Sequence, residues 1–162
     1  MRVAVGNDHR GLQVKARLLP FLRQMGHEVI DVGTLDTQAV DYPDIAAHVA
    51  TLVSQGDAER GILICGTGIG MAITANKFAG VRAATCHDEF DAEMCRRHND
   101  VNVLCLSSHL LGERNIDNLV ALWLSTEFEG GRHARRVEKI IALERRRAFE
   151  PPREGRSSDP AG

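Results

Sequence analysis

Short apolar segments alternate with longer amphipathic segments along this chain, and that alternation predicts an α/β fold. Strands that alternate with helices form βαβ units around a parallel sheet. The 162 residues are enough for one domain with a sizeable core. We therefore expect a Rossmann-like three-layer α/β/α domain with a five-stranded parallel sheet.

The predicted strands, in chain order, cover residues 3–6, 28–32, 61–65, 81–85 and 102–106. The predicted helices cover residues 11–25, 42–54, 69–77, 89–98, 112–124 and 132–147. In the fifth helix, apolar residues follow the spacing i, i+3, i+4 and i+7, which places them on one face: Ile116, Leu119, Val120 and Trp123. The domain is expected over residues 1–147. The tail, 148–162, holds three of the five prolines, shows no periodicity and is expected to be disordered.

Composition and charge exclude several classes of function. The net charge of -2 leaves no basic footprint for nucleic acid. No apolar run approaches the roughly 20 residues that span a bilayer, and the chain enters a strand pattern at once, without a signal peptide. The four cysteines form no C-x-x-C pair, which argues against a zinc site. We therefore expect a cytoplasmic protein with no nucleic-acid, membrane or metal partner.

The most informative segment joins the third strand to the helix that follows it. Cys65 ends the strand, and three glycines stand within the next five positions: Gly66, Gly68 and Gly70. Glycines let the backbone approach a ligand closely, and a helix N-terminus favours negative charge and lowers the pKa of a nearby thiol. Cys65 could instead be a buried structural thiol. The glycines serve no obvious purpose in a core, and they favour a functional thiol.

Three known loops can be compared with this segment. A cysteine-dependent phosphatase loop needs an arginine six positions after the cysteine, where this chain has Met71. The G-x-x-x-x-G-K-[ST] phosphate loop is absent, and the glycine spacing is one residue too tight for the dinucleotide motif G-x-G-x-x-G. A thiolate beside an oxyanion cradle remains, and it suits proton abstraction next to a carbonyl.

Other polar residues have both a functional and a structural interpretation. Asp8 and His9 follow the first strand, where parallel sheets bind ligands, although an Asx turn also explains Asp8. His98 could act in a site, or it could simply interact favourably with the negative end of its helix dipole. Arg132 and Arg136 share a helix face and could clamp a phosphate, or belong to a solvated basic helix. The neighbouring His133 has a surface explanation and receives no role.

Several segments together resemble one family. They are Asp8 with His9 and residues 32–34, 41–43, 65–70, 75–83, 98–100, 102–104 and 129–133. Over about residues 1–147 the chain resembles the ribose-5-phosphate isomerase B family, which includes galactose-6-phosphate and allose-6-phosphate isomerases. The resemblance implies an aldose–ketose isomerase that acts on a phosphorylated sugar in the pentose phosphate pathway, without metal or cofactor.

The resemblance also implies roles for individual residues. Cys65 would be the base that moves a proton between C2 and C1 through a cis-enediolate, and the N–H groups of residues 66–70 would hold the oxyanion. Thr67 would support the reacting end. The remaining implied roles are ring opening by Asp8 and His98, sugar positioning by Tyr42 and Asn99, and phosphate binding by His9, Arg132 and Arg136. Some relatives use a glutamate in place of the cysteine, but no acidic residue occurs from 65 to 78, so this chain is of the cysteine type.

Two further expectations concern assembly and specificity. The resemblance implies a homodimer or tetramer whose site is shared, with His98 and Asn99 supplied by the neighbouring subunit. Many relatives carry an arginine that binds phosphate after the fifth strand, where this chain has His109. An imidazole is a weaker, pH-dependent phosphate partner than a guanidinium. Isomerisation of another sugar phosphate, of the allose 6-phosphate or galactose 6-phosphate type, therefore stays open as an alternative. Sugar-phosphate binding without catalysis is a separate alternative, and Cys65 with Thr67, Asp8 and His98 argues against it because binding alone needs no thiolate.

Overall fold

The computed structural model describes residues 1–109 and 113–149 of the chain. Its strands are β1 (Arg2–Asn7), β2 (Glu28–Asp31), β3 (Arg60–Cys65), β4 (Ala83–Thr85) and β5 (Val103–Ser107). Its helices are α1 (Leu12–Gln24), α2 (Tyr42–Gln55), α3 (Ile69–Ala75), α4 (Glu89–Asn99), α5 (Glu113–Ser125) and α6 (Arg132–Phe149). All five strands are parallel, in the order β2-β1-β3-β5-β4. The predicted α/β fold on a five-stranded parallel sheet is confirmed.

Helices cover both faces of the sheet because side chains of a strand point alternately to opposite faces. Val3 and Val5 of β1 pack in the core that α1, α4 and α5 close, whereas Ala4 packs on the opposite side with α2 and α3. Both cores are built from fully buried side chains of the central strands β1, β3 and β5. The last helix, α6, contacts α4.

Predicted and observed boundaries agree to within one residue at all but three places, and the first of these is the end of α3, at Ala75 rather than at residue 77. The fourth strand begins at Ala83 rather than at residue 81, because the Arg82 N–H donates to the Asn102 side-chain oxygen (2.8 Å) and the Arg82 guanidinium pairs with Asp100. The last helix continues to Phe149, two residues into the segment that we assigned to the tail. The rest of the predicted tail, residues 150–162, lies outside the described residues.

One buried ion pair fixes the loop that follows β2. The ammonium group of Lys15 donates to Asp31 (3.0 Å) and to the carbonyl of Thr34 (2.7 Å), and the Lys15 side chain is only 3% exposed. The backbone of Gly33 lies so close to β1 that an added Cβ would lie 1.9 Å from Oδ1 of Asn7. These contacts hold the loop against the carboxyl end of β1, where a cleft opens.

No helix in the described ranges is both long and apolar enough to cross a lipid bilayer.

Candidate active site

A cleft of about 550 Å³ opens at the carboxyl edge of the sheet, beside β1 and β3. The chain leaves these neighbouring strands towards opposite sides of the sheet, and parallel sheets bind ligands at such a switch point. The lining residues come from the loop after β1, the start of α2 and the β3–α3 turn: Asp8, His9, Arg10, Val40, Tyr42, Cys65, Gly66, Thr67, Ile69, Gly70 and Ile73. Seven of the predicted site residues are therefore in one cavity: Asp8, His9, Tyr42, Cys65, Gly66, Thr67 and Gly70.

Cys65 is the last residue of β3 and is 6% exposed. Its Sγ accepts a hydrogen bond from the backbone N–H of Gly68 at 3.1 Å. Gly68 has a φ of 77°, in the left-handed region that side chains disfavour, and this conformation turns its N–H back towards the sulfur. The predicted thiol and glycine turn are thus in contact.

The third glycine of the turn is required for a different reason. A Cβ at Gly70 would lie 2.6 Å from two ring carbons of Tyr42, so the ring lies directly against this backbone. Tyr42 is 41% exposed and lines the cleft. The glycine at position 70 therefore sets where the Tyr42 ring stands relative to Cys65.

Thr67 lies between these glycines and is exposed in the cleft. Its Oγ1 accepts a hydrogen bond from the N–H of Ile69 at 3.3 Å. This bond satisfies one of the first N–H groups of α3, which have no partner within the helix. The hydroxyl proton of Thr67 stays available to a ligand, because the bond to Ile69 uses the oxygen as an acceptor.

Asp8 forms the Asx turn that the sequence allowed, and it also lines the cleft. Its Oδ1 accepts hydrogen bonds from the N–H groups of Arg10 (2.9 Å) and Gly11 (3.1 Å). Next to it, Nδ1 of His9 accepts from the N–H of Val40 at 3.4 Å. An imidazole that accepts at Nδ1 carries its proton on Nε2 when neutral, so His9 can donate to an anion.

Arg10 lines the cleft and was not predicted as a site residue. Its guanidinium is the one Lys or Arg side chain in the described lining of the cleft. A Cβ at Gly66 would lie 3.3 Å from Cδ of Arg10 and 3.3 Å from Cδ2 of His109, so both side chains lie beside Gly66. The only sequence signal for Arg10 was its place directly after Asp8 and His9, at the carboxyl end of the first strand.

Four other predicted residues form a second group that does not line this cleft. His98 and Asn99 end α4, and Arg132 and Arg136 are exposed on the first turns of α6. The rings of His98 and His133 stack with their centroids 4.2 Å apart and their planes parallel within 1°. The surface explanation for His133 is wrong: it is 4% exposed because α6 packs it against α4.

Glu129 joins this second group through charge. It pairs with Arg97 and lies 3.5 Å from Nε2 of His133 and 4.0 Å from Nε2 of His98. Hydrogen bonding to Arg97 lowers the pKa of Glu129, and desolvation lowers the pKa of His133. Sequence reasoning missed Glu129, although it stands in a segment that carried the resemblance.

The same group has the donor atoms of a metal site but not its geometry. One ligand atom from each of His98, Glu129 and His133 lies within 4.8 Å of the others. The parallel stacked rings do not direct both nitrogen lone pairs to one point, and the guanidinium groups of Arg97 and Arg132 lie beside these ligands. Two adjacent positive charges oppose a bound cation.

Comparisons with known proteins agree on one family. The family model described as Ribose/Galactose Isomerase matches residues 3–140. Ribose-5-phosphate isomerase B of Escherichia coli strain K12 is 46% identical over 146 residues, which is 90% of this chain and 98% of that protein. The structure of ribose-5-phosphate isomerase B from Clostridium thermocellum superposes with a TM-score of 0.89 at 46% identity, covering 91% of this chain and 99% of that one.

A ligand-bound relative is also similar. The structure of ribose-5-phosphate isomerase B from Mycoplasma genitalium with bound ribulose 5-phosphate matches with a TM-score of 0.86 at 40% identity. The match covers 89% of this chain and 96% of that chain.

Proposed function

The chain belongs to the ribose/galactose isomerase family, and from this premise we propose that it interconverts ribose 5-phosphate and ribulose 5-phosphate at the cleft around Cys65. Membership makes it an aldose–ketose isomerase. The substrate is supported by the relatives from Escherichia coli and Clostridium thermocellum, and by the ribulose 5-phosphate bound to the relative from Mycoplasma genitalium. The observation that carries the proposal is the Cys65 sulfur, which is buried at the base of the cleft and accepts a hydrogen bond from the Gly68 N–H.

The reaction begins with ring opening, since only the open-chain sugar has a free carbonyl. Asp8 lies in the cleft and one of its carboxylate oxygens already serves the Asx turn, which holds the group in a fixed orientation. We assign Asp8 and His98 to ring opening as the two proton-transfer groups, one acting as general base and the other as general acid. A carboxylate and an imidazole are suitable general bases and acids for this step at neutral pH.

Proton transfer between C2 and C1 is the task of Cys65. The thiolate removes the proton from C2, and the negative charge then develops on the oxygens of a cis-enediolate. The resulting thiol returns the proton to C1, while the hydroxyl proton passes from O2 to O1. We assign stabilisation of the developing charge to the hydroxyl of Thr67 and to N–H groups of the turn from Gly66 to Gly70 other than those of Gly68 and Ile69, which donate to Cys65 and Thr67.

The phosphate end of the substrate is bound at the rim of the cleft. Cys65 is buried, whereas Arg10 and His109 are exposed and lie beside Gly66. A phosphate dianion keeps part of its hydration at such a rim while the reacting carbons reach the sulfur below. We assign the phosphate to Arg10, His109 and His9, with Tyr42 and its ring against Gly70 orienting the sugar.

The second residue group completes the site from another subunit. Asn99, Arg132 and Arg136 are exposed outside the cleft, with side chains that can bind a sugar hydroxyl or a phosphate. At the rim of the cleft, Ile69 and Ile73 are 55% and 58% exposed, and apolar surface of this kind suits a protein contact. We therefore propose a homodimer in which His98, Asn99, Arg132 and Arg136 of one subunit face the cleft of its partner.

A cytoplasmic location is part of the same proposal. All four cysteines are free thiols, which is the usual state of cysteine in a reducing compartment.

A panel assay tests the proposed function. The purified protein is incubated with pentose and hexose phosphates, and ribose 5-phosphate should give the highest kcat/KM. In deuterium oxide, the recovered ribose 5-phosphate should carry deuterium at C2, as proton transfer through an enediolate requires. Activity on hexose phosphates alone would refute ribose 5-phosphate as the substrate. Binding of a sugar phosphate without turnover would favour a non-catalytic binding module.

A further inference from the structure

A second cavity, of about 240 Å³, lies between β4, α4 and α6 and shares no lining residue with the cleft. Its walls include Arg82, Cys95, Asn99 and Ile140. Cys95 is half-buried on α4, and its side chain is reached through this cavity. None of the steps assigned to the isomerase uses this thiol.

A second thiol stands behind the first. Cys86 follows β4 directly and is 1% exposed, and its S–H donates to the sulfur of Cys95 across 3.7 Å. A disulfide requires the two sulfur atoms about 2.0 Å apart. The sulfurs of Cys86 and Cys95 therefore need to approach each other by only about 1.7 Å. Rotation of one cysteine side chain about its Cα–Cβ bond moves the sulfur farther than this.

The surroundings of Cys95 lower its pKa on balance, although its S–H donates a hydrogen bond to the carbonyl of Ala92 at 3.3 Å, which favours the thiol. The hydrogen bond from Cys86 lowers the pKa of Cys95, and the charge of Arg96 adds to this effect against the opposing effects of burial and of Asp91. The indole N–H of Trp123 is fully buried, forms no hydrogen bond of regular geometry with the described residues, and lies close enough to Cys95 to lower its pKa further. Cys86, by contrast, has a raised pKa, because its proton is held in the bond to Cys95 and the group is buried.

We propose that Cys95 is a peroxide-reactive thiol and that Cys86 resolves its oxidised form into a reversible disulfide. The Cys95 thiolate attacks one oxygen of hydrogen peroxide, the O–O bond breaks, and the thiolate becomes a sulfenic acid as hydroxide leaves. The sulfur of Cys86 then attacks the sulfur of Cys95 and loses its proton, the S–O bond breaks, and water leaves. Two thiols are oxidised by two electrons in total, and one peroxide is reduced to two waters.

The difference in accessibility between the two thiols decides which one reacts with peroxide and which one resolves the oxidised form. The thiol that meets peroxide must be reachable and the more readily ionised of the two, which describes Cys95, whereas the resolving thiol needs only to be adjacent, which describes Cys86. Cys105 is fully buried, and burial raises the pKa of its thiol, so it should not compete.

The sequence makes the cross-link easy to detect. Trypsin cuts after Arg82 and Arg96, so Cys86 and Cys95 leave in one peptide, residues 83–96, while Cys65 and Cys105 leave in others. After treatment of the native full-length protein with equimolar hydrogen peroxide, this peptide should lose the mass of two hydrogen atoms and resist alkylation. Dithiothreitol should restore both alkylatable thiols.

Three variants separate the roles of the two thiols. In Cys86→Ser the sulfenic acid should persist on Cys95 and be trapped by dimedone, whereas in Cys95→Ser peptide 83–96 should carry neither adduct nor cross-link. Any adduct on Cys65 appears on a separate tryptic peptide and is scored apart. Cys105→Ala is the matched control and should form the cross-link as the unmodified chain does. Should a variant fail to fold, alkylation of the native unmodified protein gives the same test, since Cys95 should react at least tenfold faster than Cys86. Two free thiols on peptide 83–96 after peroxide, or equal alkylation of the pair, would overturn the proposal whether or not the protein is an isomerase.

Discussion

The backbone N–H of Gly68 donates a hydrogen bond to the sulfur of Cys65 at 3.1 Å, within a turn that Gly68 can form because of its positive φ. The donor lies three residues after the acceptor, so a single short turn both positions the sulfur and supplies it with a hydrogen-bond donor. The proposed proton transfer depends on this pair.

Replacing the proposed base should remove catalysis without removing the fold. Cys65→Ala should lower kcat for ribose 5-phosphate by about 10²–10⁴-fold, the usual contribution of a general base, and abolish deuterium wash-in at C2. Cys105→Ala, at a buried cysteine of the neighbouring strand, should keep kcat near its original value. Full exchange in Cys65→Ala would show that another group is the base.

Arg10 should be tested by its effect on KM rather than on kcat. Arg10→Ala should raise KM for ribose 5-phosphate about 10- to 100-fold, because it removes a charge-assisted contact with phosphate. Arg23→Ala, at an exposed arginine of α1 outside the cleft, is the control and should leave KM unchanged. A fall in kcat at constant KM would instead place Arg10 at the reacting end.

His109 should be able to take over from Arg10 when it is changed to arginine. His109→Arg alone should lower KM, since an always-charged group replaces an imidazole beside Gly66. In the double variant Arg10→Ala, His109→Arg, part of the affinity lost with Arg10 should return. Unchanged KM in His109→Arg would remove position 109 from the phosphate site.

The contact of Gly70 with Tyr42 predicts a steric effect on activity. Gly70→Ala should displace the Tyr42 ring and lower kcat/KM by about tenfold, in line with the 1–3 kcal/mol that overpacking costs. In a Tyr42→Ala background the same change should cost little more, because the clash is gone. Steady-state kinetics on the four proteins give the coupling directly, and additive losses would contradict a role through Tyr42.

Sharing of the site between subunits predicts complementation. Cys65→Ala and His98→Ala proteins should each be nearly inactive, yet a mixture refolded together should regain about a quarter of the original activity. Half of the dimers are then mixed, and each mixed dimer has one site with both residues intact. If His98 acted within its own chain, the mixture would stay inactive.

The buried Lys15 should matter for stability more than a half-buried arginine of the same helix. Lys15→Met leaves the Asp31 carboxylate without its partner and should lower the free energy of unfolding by about 3 kcal/mol. Arg17→Ala breaks a more exposed pair with Asp117 and should cost about 1 kcal/mol or less. Urea unfolding followed by circular dichroism measures both, and equal losses would show that the Lys15 pair adds nothing through burial.

The alternation of apolar and amphipathic segments was enough to predict every strand and helix of the described residues, because the central strands are short apolar runs and each helix buries one apolar stripe. The ends of the elements depended on single side chains instead. The Arg82 N–H donates to the side chain of Asn102 rather than to a strand backbone, and hydrophobic periodicity does not reveal such a hydrogen bond. The cleft around Cys65 was predictable because parallel strands end at the same edge.

Residues brought together by long-range packing were harder to predict. His133 looked exposed because arginines surround it in the sequence, but it is buried against His98, which lies on another helix. Arg10 follows no motif, and an exposed arginine in a loop usually has no specific role. Only the fold places it beside Gly66 and His109.

The order of the strands also sets how the chain can fold as it leaves the ribosome. β1 pairs with β2 and β3, so this half of the sheet, with Cys65 at its edge, can form as soon as residue 65 has emerged. β4 pairs with β5 alone among the described strands, although β5 is synthesised after it. The nascent chain therefore holds β4 unpaired until β5 appears, and the cleft around Cys65 can take shape before the thiol pair Cys86 and Cys95 is locked in place.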